Sequence, residues 1–187
     1  YLYFAVLVVP MILGVFYFLI KDPKFLDRRT RAKEKEKQQK LISIFSTVVF
    51  LAGFILPGLD HRFGWSDVPI NFVITADIIV LSGYLIIFAV FRQNSYASRI
   101  IEVEENQEVI STGLYGVVRH PMYLGVLVMF LPAPIALGSF WGLLPLSVLP
   151  LVLVLRILNE EKVLSANLPG YKEYCKTIRF RMIPFIW

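Results

Sequence analysis

The sequence of 187 residues contains one cysteine, Cys175, and two histidines, His61 and His120. A lone thiol excludes an internal disulfide and a thiolate zinc cluster, and two histidines with no other soft ligand give no reason to expect a metal site. A G-x-G-x-x-G fingerprint is also missing. Gly113-Leu-Tyr-Gly116 has the wrong spacing and follows no strand, so a cofactor, if there is one, is not expected to sit on a Rossmann unit. Nor does a secretory signal fit, because the first apolar run has no basic n-region and no small-residue cleavage site, and apolar runs recur along the whole chain. The chain opens on Tyr1 rather than Met, and a preceding piece, such as another helix, is expected.

What the sequence does have is hydrocarbon. Apolar residues make up 57%, against roughly 45–50% in soluble domains, and the mean hydropathy is +0.65. About 20 mainly apolar residues are needed to span a bilayer as a helix. Residues 2–20, Leu41–Leu59 and Val68–Phe91 meet or approach that length, and a longer run, Met122–Leu158, is interrupted near "LGSFWG" and gives two more. The expectation is an all-α, polytopic transmembrane helix bundle with about five membrane segments.

Residues 21–40 carry nine Lys or Arg against four acidic residues. Read as a solvated charged loop, this stretch is cytoplasmic by the positive-inside rule. Alternation then puts residues 60–67 outside and residues 92–121 and 159–187 inside, so that of 19 basic residues only Arg62 falls on the outer side. Anionic membrane lipids are natural neighbours of the basic loop, and no nucleic-acid partner is expected. The chain divides at residue 91, with three membrane segments before it and a polar-rich region, 92–187, after it. That region comprises the loop 92–121, the helical hairpin 122–158 and the tail 159–187.

A site is expected where the loop and the tail meet at the inner surface. In "RILNEEKVL", Arg156 and Glu160 are four residues apart and share one helix face, while Glu161 points about 100° away. Arg156 ends a purely apolar run, where an ionisable group is costly and marks function. Asp77 lies inside the third segment, where such a group is expected to face the bundle interior and to have a partner. In "GLYGVVRHPMYLG", Pro121 reads as the first residue of a helix. The N–H groups of Met122, Tyr123 and Leu124 are then expected to lack intrahelical partners and to form an anion-binding helix start beside Arg119 and His120.

"GLYGVVRHPMYLG", an apolar hairpin, then "RILNEEKVL" and "LPGYKEY" together resemble the integral membrane methyltransferases typified by isoprenylcysteine carboxyl methyltransferase, with the phospholipid methyltransferases as relatives. The likeness covers roughly residues 90–187. It implies S-adenosylmethionine held in a C-terminal cytoplasmic cofactor-binding region. Carried over by position, it implicates Glu102, Gln107, Val109, Ile110 and Tyr115 in the approach segment, His120, Pro121, Met122 and Tyr123 at the helix start, and Glu160 or its neighbour Glu161 on the exit helix. The family's substrate-side arginine falls on Arg156, which with Glu160 is the expected catalytic pair. The methyl acceptor is expected to be a lipophilic or small molecule. A carboxylate or thiolate acceptor needs no strong base, whereas an amine needs a proton acceptor, for which Glu160, Glu161 and Asp77 are the candidates. Two rival readings are an NADPH-dependent membrane sterol or enone reductase and a non-enzymatic membrane scaffold.

Overall fold

The computed structural model describes residues 2–30, 37–97, 100, 103–104 and 107–187, the side chains of residues 37 and 38 excepted. Among them every regular element is helical. The first, α1 (Leu2–Lys21), is followed by a short helix, α2 (Pro23–Thr30), that lies within the basic stretch expected to be an open loop. Two features make it fold. Asp22 accepts the Phe25 N–H at 3.0 Å and so caps the helix start, with Pro23 in the first-turn position where its missing N–H costs nothing. Phe25 is then buried against Phe18 and Phe91, with ring centroids 4.6 and 5.0 Å away.

Helix α3 (Lys37–Phe63) is longer than its apolar run, and α4 (Ile70–Gln93) matches its run in length but is shifted two residues along the chain. After a connecting loop come α5 (Pro121–Phe130), α6 (Ala133–Ala136), α7 (Leu143–Leu146), α8 (Leu149–Asn167) and α9 (Tyr171–Thr177). Four helical stretches are long and apolar enough to cross a membrane: Leu2–Lys21, Gln39–Phe63, Ile70–Gln93 and Leu143–Asn167. The stretch expected as a fourth segment is shorter, Pro121–Ala136. Pro132 and Pro134 follow Phe130 closely, and a proline there removes a helix N–H and clashes with the preceding turn. The break at "LGSFWG" falls where expected, turning at Gly138, whose φ of 77° suits glycine. Beyond Leu158 helix α8 continues to Asn167, so it carries Arg156, Glu160 and Glu161.

The closest packing is between α4 and α5. A Cβ placed on Gly83 would lie 2.5 Å from the Met129 nitrogen, and one on Gly125 would lie 2.6 Å from an Ile87 side-chain carbon and 3.1 Å from the Gly83 carbonyl oxygen. Small residues thus let two backbones touch, the usual way for helices to gain contact where lipid offers no hydrophobic drive. Around this seam Val80, Ile87, Met129 and Ala133 form one buried core, and Tyr123, Leu149, Leu153 and Ile157 form a second between α5 and α8. Large apolar side chains such as Leu13, Phe16, Ile44 and Ile78 remain outside both and stay exposed. So extensive an apolar surface suits hydrocarbon rather than water.

At the end of the bundle remote from the basic stretch, Asp60 is buried. It accepts the Ser66 N–H and hydroxyl, each at 2.7 Å, and the Ser139 hydroxyl, tying the end of α3 to the turn after α6. Asp77 faces the bundle interior as expected, but the partner expected for it is not found among the described residues. Neither carboxyl oxygen has a hydrogen-bond partner among the described residues, and the same holds for the buried Tyr3 hydroxyl.

Candidate active site

The loop into α5 is held from two directions. Gln93, the last residue of α4, donates to the Thr112 carbonyl oxygen at 2.5 Å and accepts the Leu114 N–H at 3.2 Å, fixing a 3₁₀ turn at Gly113–Gly116. Gly113 has a φ of 54°, which favours glycine, and a Cβ there would displace the Gln93 amide that makes these bonds. From the other side, the tail lies along the residues before the helix. The Arg119 N–H donates to the Phe180 carbonyl oxygen at 2.9 Å and the His120 N–H to the Arg181 carbonyl oxygen at 2.7 Å.

Glu161 gathers the surrounding charge. Arg119 Nε donates to one of its oxygens at 2.8 Å and Arg181 Nε to the other at 2.9 Å, with His120 Nε2 3.4 Å from the first. Arg119 Nη1 also donates to the carbonyl oxygens of Ile178 and Arg179, at 2.9 and 3.2 Å. A guanidinium this buried needs such a set of acceptors. Arg119 and Glu161 thereby join the loop, α8 and the tail.

Glu160 turns the other way. Tyr123, projecting from the first turn of α5, donates its hydroxyl to Glu160 Oε2 at 2.5 Å and accepts Arg156 Nε at 2.9 Å. The i, i+4 pair of α8 is thus bridged by a neutral hydroxyl from another helix. The expected helix-start donors are altered, because the N–H groups of Tyr123 and Leu124 both reach the His120 carbonyl oxygen, at 3.1 and 3.3 Å. His120 is the cap residue, so the Leu124 N–H makes the ordinary first intrahelical bond, and a tightened first turn takes the Tyr123 N–H as well.

A narrow pocket of about 110 Å³ opens against these groups. Of the residues singled out from sequence, Gln107, Val109, Ile110, Tyr115, His120, Met122, Tyr123, Arg156 and Glu160 line it. Pro121 is buried behind the wall, and Glu102 lies outside the described residues. The structure also brings in Asn94 and Tyr96, which no motif singled out, and Leu164 and Leu168, which lie in the quoted "RILNEEKVL" and "LPGYKEY" without having been given a role. Tyr174, within the quoted "LPGYKEY", lines the pocket too and donates its hydroxyl to the Tyr115 carbonyl oxygen at 2.7 Å. Asn94 Nδ2 donates to the Tyr115 hydroxyl at 2.8 Å. Burial pushes the Tyr115 hydroxyl up to about 12 and raises Tyr174 and Tyr171 as well. All three remain neutral hydroxyls across the physiological range.

A second cavity, of about 580 Å³, lies between α3, α5 and α8, with walls that include Phe50, Leu51, Met129, Phe130, Val152 and Leu153. Ile100, Met122, Tyr123 and Arg156 line both spaces. A polar pocket therefore adjoins an apolar cavity, and the hydroxyl bridge stands where they meet. Among the described residues no cluster of His, Cys, Asp and Glu could hold a metal ion.

An apolar helical bundle with membrane-length helices and a two-part site at one end is the class of protein these observations define. Residues 72–169, just over half of the chain, match the phospholipid methyltransferase family, and the chain belongs to that family. It is also similar to the Delta(14)-sterol reductase of Mus musculus, with 31% identity over 91 residues, 46% of this chain and 22% of that protein. The chain therefore spans under a quarter of the length of this curated relative.

The donor set of the polar pocket suits S-adenosylmethionine, the cofactor of the family's methyltransferases. Glu160 matches an ammonium, the rings of Tyr96, Tyr115 and Tyr174 match an adenine and a sulfonium, and the segment Gln107–Ile110 offers backbone groups. The pocket is tight for so large a guest. Its outer wall at Asn94–Ala97 and Gln107–Ile110 has no regular secondary structure.

Proposed function

We propose that the protein is an integral membrane methyltransferase that binds S-adenosylmethionine in the polar pocket and takes a lipophilic acceptor from the apolar cavity, most like isoprenylcysteine carboxyl methyltransferase. The observation that carries this reading is the junction of the two spaces at Tyr123 and Arg156, with Glu160 on the polar side. The same end of the bundle bears the basic stretch, since Arg28 Nε donates to the Ser95 carbonyl oxygen at 2.8 Å and Gln39 to that of Arg156 at 3.4 Å. The positive-inside rule then makes the site cytoplasmic. Five crossings follow if the hairpin of Pro121–Ala136 with Leu143–Asn167 enters the membrane as a pair.

When bound, the cofactor supplies a methyl group activated on a sulfonium. The chain's own work is positional. Glu160 holds the cofactor's ammonium, Arg156 holds an anionic acceptor end, and Tyr123 keeps the two side chains in register without adding charge. Catalysis of an in-line displacement rests on such alignment and on excluding water, and the second core behind Tyr123 keeps that side dry. An acceptor carboxylate or thiolate needs no base, whereas an amine would release its proton to a carboxylate such as Glu160.

The similarity to a sterol reductase favours a second reading, reduction with NADPH. That cofactor's 2′-phosphate calls for cations near the pocket, but Arg119 and Arg181 are both engaged with Glu161. Calorimetry on the detergent-solubilised protein separates the two readings. S-adenosylhomocysteine is expected to bind and NADPH to give no comparable heat. The reverse result ends the methyltransferase reading.

A further inference from the structure

At the end of the bundle remote from the site, three aromatic rings are gathered at the surface. Helix α3 carries an exposed apolar stripe, Ile44, Val48, Leu51, Ile55 and Leu59, at the three- and four-residue spacing of one helix face. Phe63 continues the stripe and stacks on Trp65, with ring centroids 5.5 Å apart and planes at 16°. Trp65 in turn meets Trp141 edge to face at 6.0 Å. The Arg62 guanidinium carbon lies 5.6 Å from the centre of the Phe63 ring. All three rings touch one another and still remain exposed.

Their backbones are fixed by the buried Asp60. The Trp65 N–H donates to the Asp60 carbonyl oxygen at 3.2 Å, and the Phe140 N–H, beside Trp141, donates to the Ser66 hydroxyl oxygen at 3.2 Å. On the other flank of Trp141 the Gly142 N–H donates to the hydroxyl oxygen of Ser139, at 3.2 Å. Ser66 and Ser139 are both bonded to the Asp60 carboxylate, so one buried anion organises both turns that carry the indoles. Exposed rings are unfavourable in water, whereas an indole, with an apolar body and one N–H donor, suits the boundary between hydrocarbon and head groups. Arg62 brings a cation to the level of lipid phosphates there.

The position of this boundary has a counterpart at the other end of α3. Ile44 and Phe63 are separated along the helix by about 28 Å at 1.5 Å per residue, close to the roughly 30 Å of bilayer hydrocarbon. With the rings at one boundary, Ile44 lies at the other. Its neighbour Ser43 lines the apolar cavity, and one turn beyond, Gln39 donates to the Arg156 carbonyl oxygen at 3.4 Å.

We propose that Phe63, Trp65 and Trp141 are an interfacial docking surface for the lipid head-group layer remote from the site, and that this contact sets the depth of the bundle so that Arg156 stands in the opposite head-group layer. The partner is the lipid surface itself, continuous with the hydrocarbon that covers the α3 stripe. This contact asks nothing of the chemistry at the site, and it stands whether or not S-adenosylmethionine binds there.

The test uses the full chain in phosphatidylcholine vesicles doped with lipid brominated either near the head-group end or near the methyl end of its acyl chains. The emission of Trp65 and Trp141 is taken as the difference between the unsubstituted protein and the variant carrying both Trp65→Phe and Trp141→Phe. Head-end bromine is expected to quench it more strongly than methyl-end bromine, with acrylamide in the aqueous phase a weak quencher. The reverse order puts the rings in hydrocarbon, strong quenching by acrylamide alone puts them in water, and quenching by none puts them against another protein; each overturns the docking surface. Depth is read from a bimane label on Ile44→Cys in a Cys175→Ser background, where head-end bromine is again expected to quench more. Replacing both indoles, by Trp65→Ser and Trp141→Ser, is expected to shift that ratio towards equality, and the phenylalanine pair to preserve it. An unchanged ratio in the serine pair overturns the role in setting depth. The indole emission is measured without the serine pair, so it decides the docking surface even where that variant fails to fold.

Discussion

Replacing Tyr123 by phenylalanine removes one oxygen atom and leaves the ring in its core, so it isolates the hydroxyl bridge. That oxygen makes two contacts with charged groups, donating at 2.5 Å to Glu160 and accepting at 2.9 Å from Arg156. A hydrogen bond to a charged group contributes about 1.5–3 kcal/mol, so losing both outright would cost about 3–6 kcal/mol by the same measure. Both partners line a pocket that opens to water, which replaces part of each contact. A net loss of about 1.5–3 kcal/mol is therefore expected. The assay is reversible denaturation in detergent of a double-mutant cycle with Tyr123→Phe and Glu160→Gln. Groups joined in one network show interaction energies of about 0.5–3 kcal/mol, so the two losses should fail to add. Strict additivity, or stability of Tyr123→Phe within about 0.5 kcal/mol of the unsubstituted protein, would refute the account of Tyr123 as the link between Arg156 and Glu160.

The adjacent carboxylates should separate by phenotype. Glu161→Gln leaves Arg119 and Arg181 without their anion and is expected to destabilise by about 3 kcal/mol, whereas Glu160→Gln should mainly weaken S-adenosylmethionine binding in calorimetry, a neutral contact being roughly half as strong as a charge-assisted one. Gly83→Ala drives a methyl group into the backbone of α5 and is expected to cost about 1–3 kcal/mol in thermal unfolding; a neutral result would mean that α4 and α5 separate readily. In a Cys175→Ser background, a cysteine at Phe63 should be labelled from outside and one at Glu108 only from the cytoplasm. The opposite labelling would remove the site from the cytoplasmic cofactor pool.

Helix positions were legible in the sequence because hydrocarbon imposes a length that apolar runs display directly. The turn at Gly138 was visible for the same reason, as an interruption of such a run. Helix α2 was hidden by its charge, since its fold depends on one phenylalanine and one capping aspartate among basic residues. In the site, the exit helix and the His120-Pro121 start could be placed from spacing and resemblance. The choice between Glu160 and Glu161 as pocket wall turns on which neighbours reach each carboxylate, and those neighbours, Tyr123 and Arg181, come from opposite ends of the region. Asn94 and Tyr96 belong to no pattern and arrive only through the path of the loop. The expectation for the Tyr123 and Leu124 N–H groups failed because residue types announce a helix start but not which of its donors the cap carbonyl takes.

The tail's pairing with the start of α5 bears on the order of biosynthesis. Membrane helices are made and inserted from the N-terminus, at about 5–20 residues per second, so Arg119, His120 and Glu161 are in place before the segment from Ile178 to Arg181 leaves the ribosome. Until it arrives, Arg119 lacks two carbonyl acceptors, Glu161 lacks one of its arginines, and the backbone N–H groups of Arg119 and His120 are unpaired. The backing of Arg119, His120 and Glu161 is thus completed by a segment made after all three, and a nascent chain halted before Ile178 carries its membrane helices without that backing.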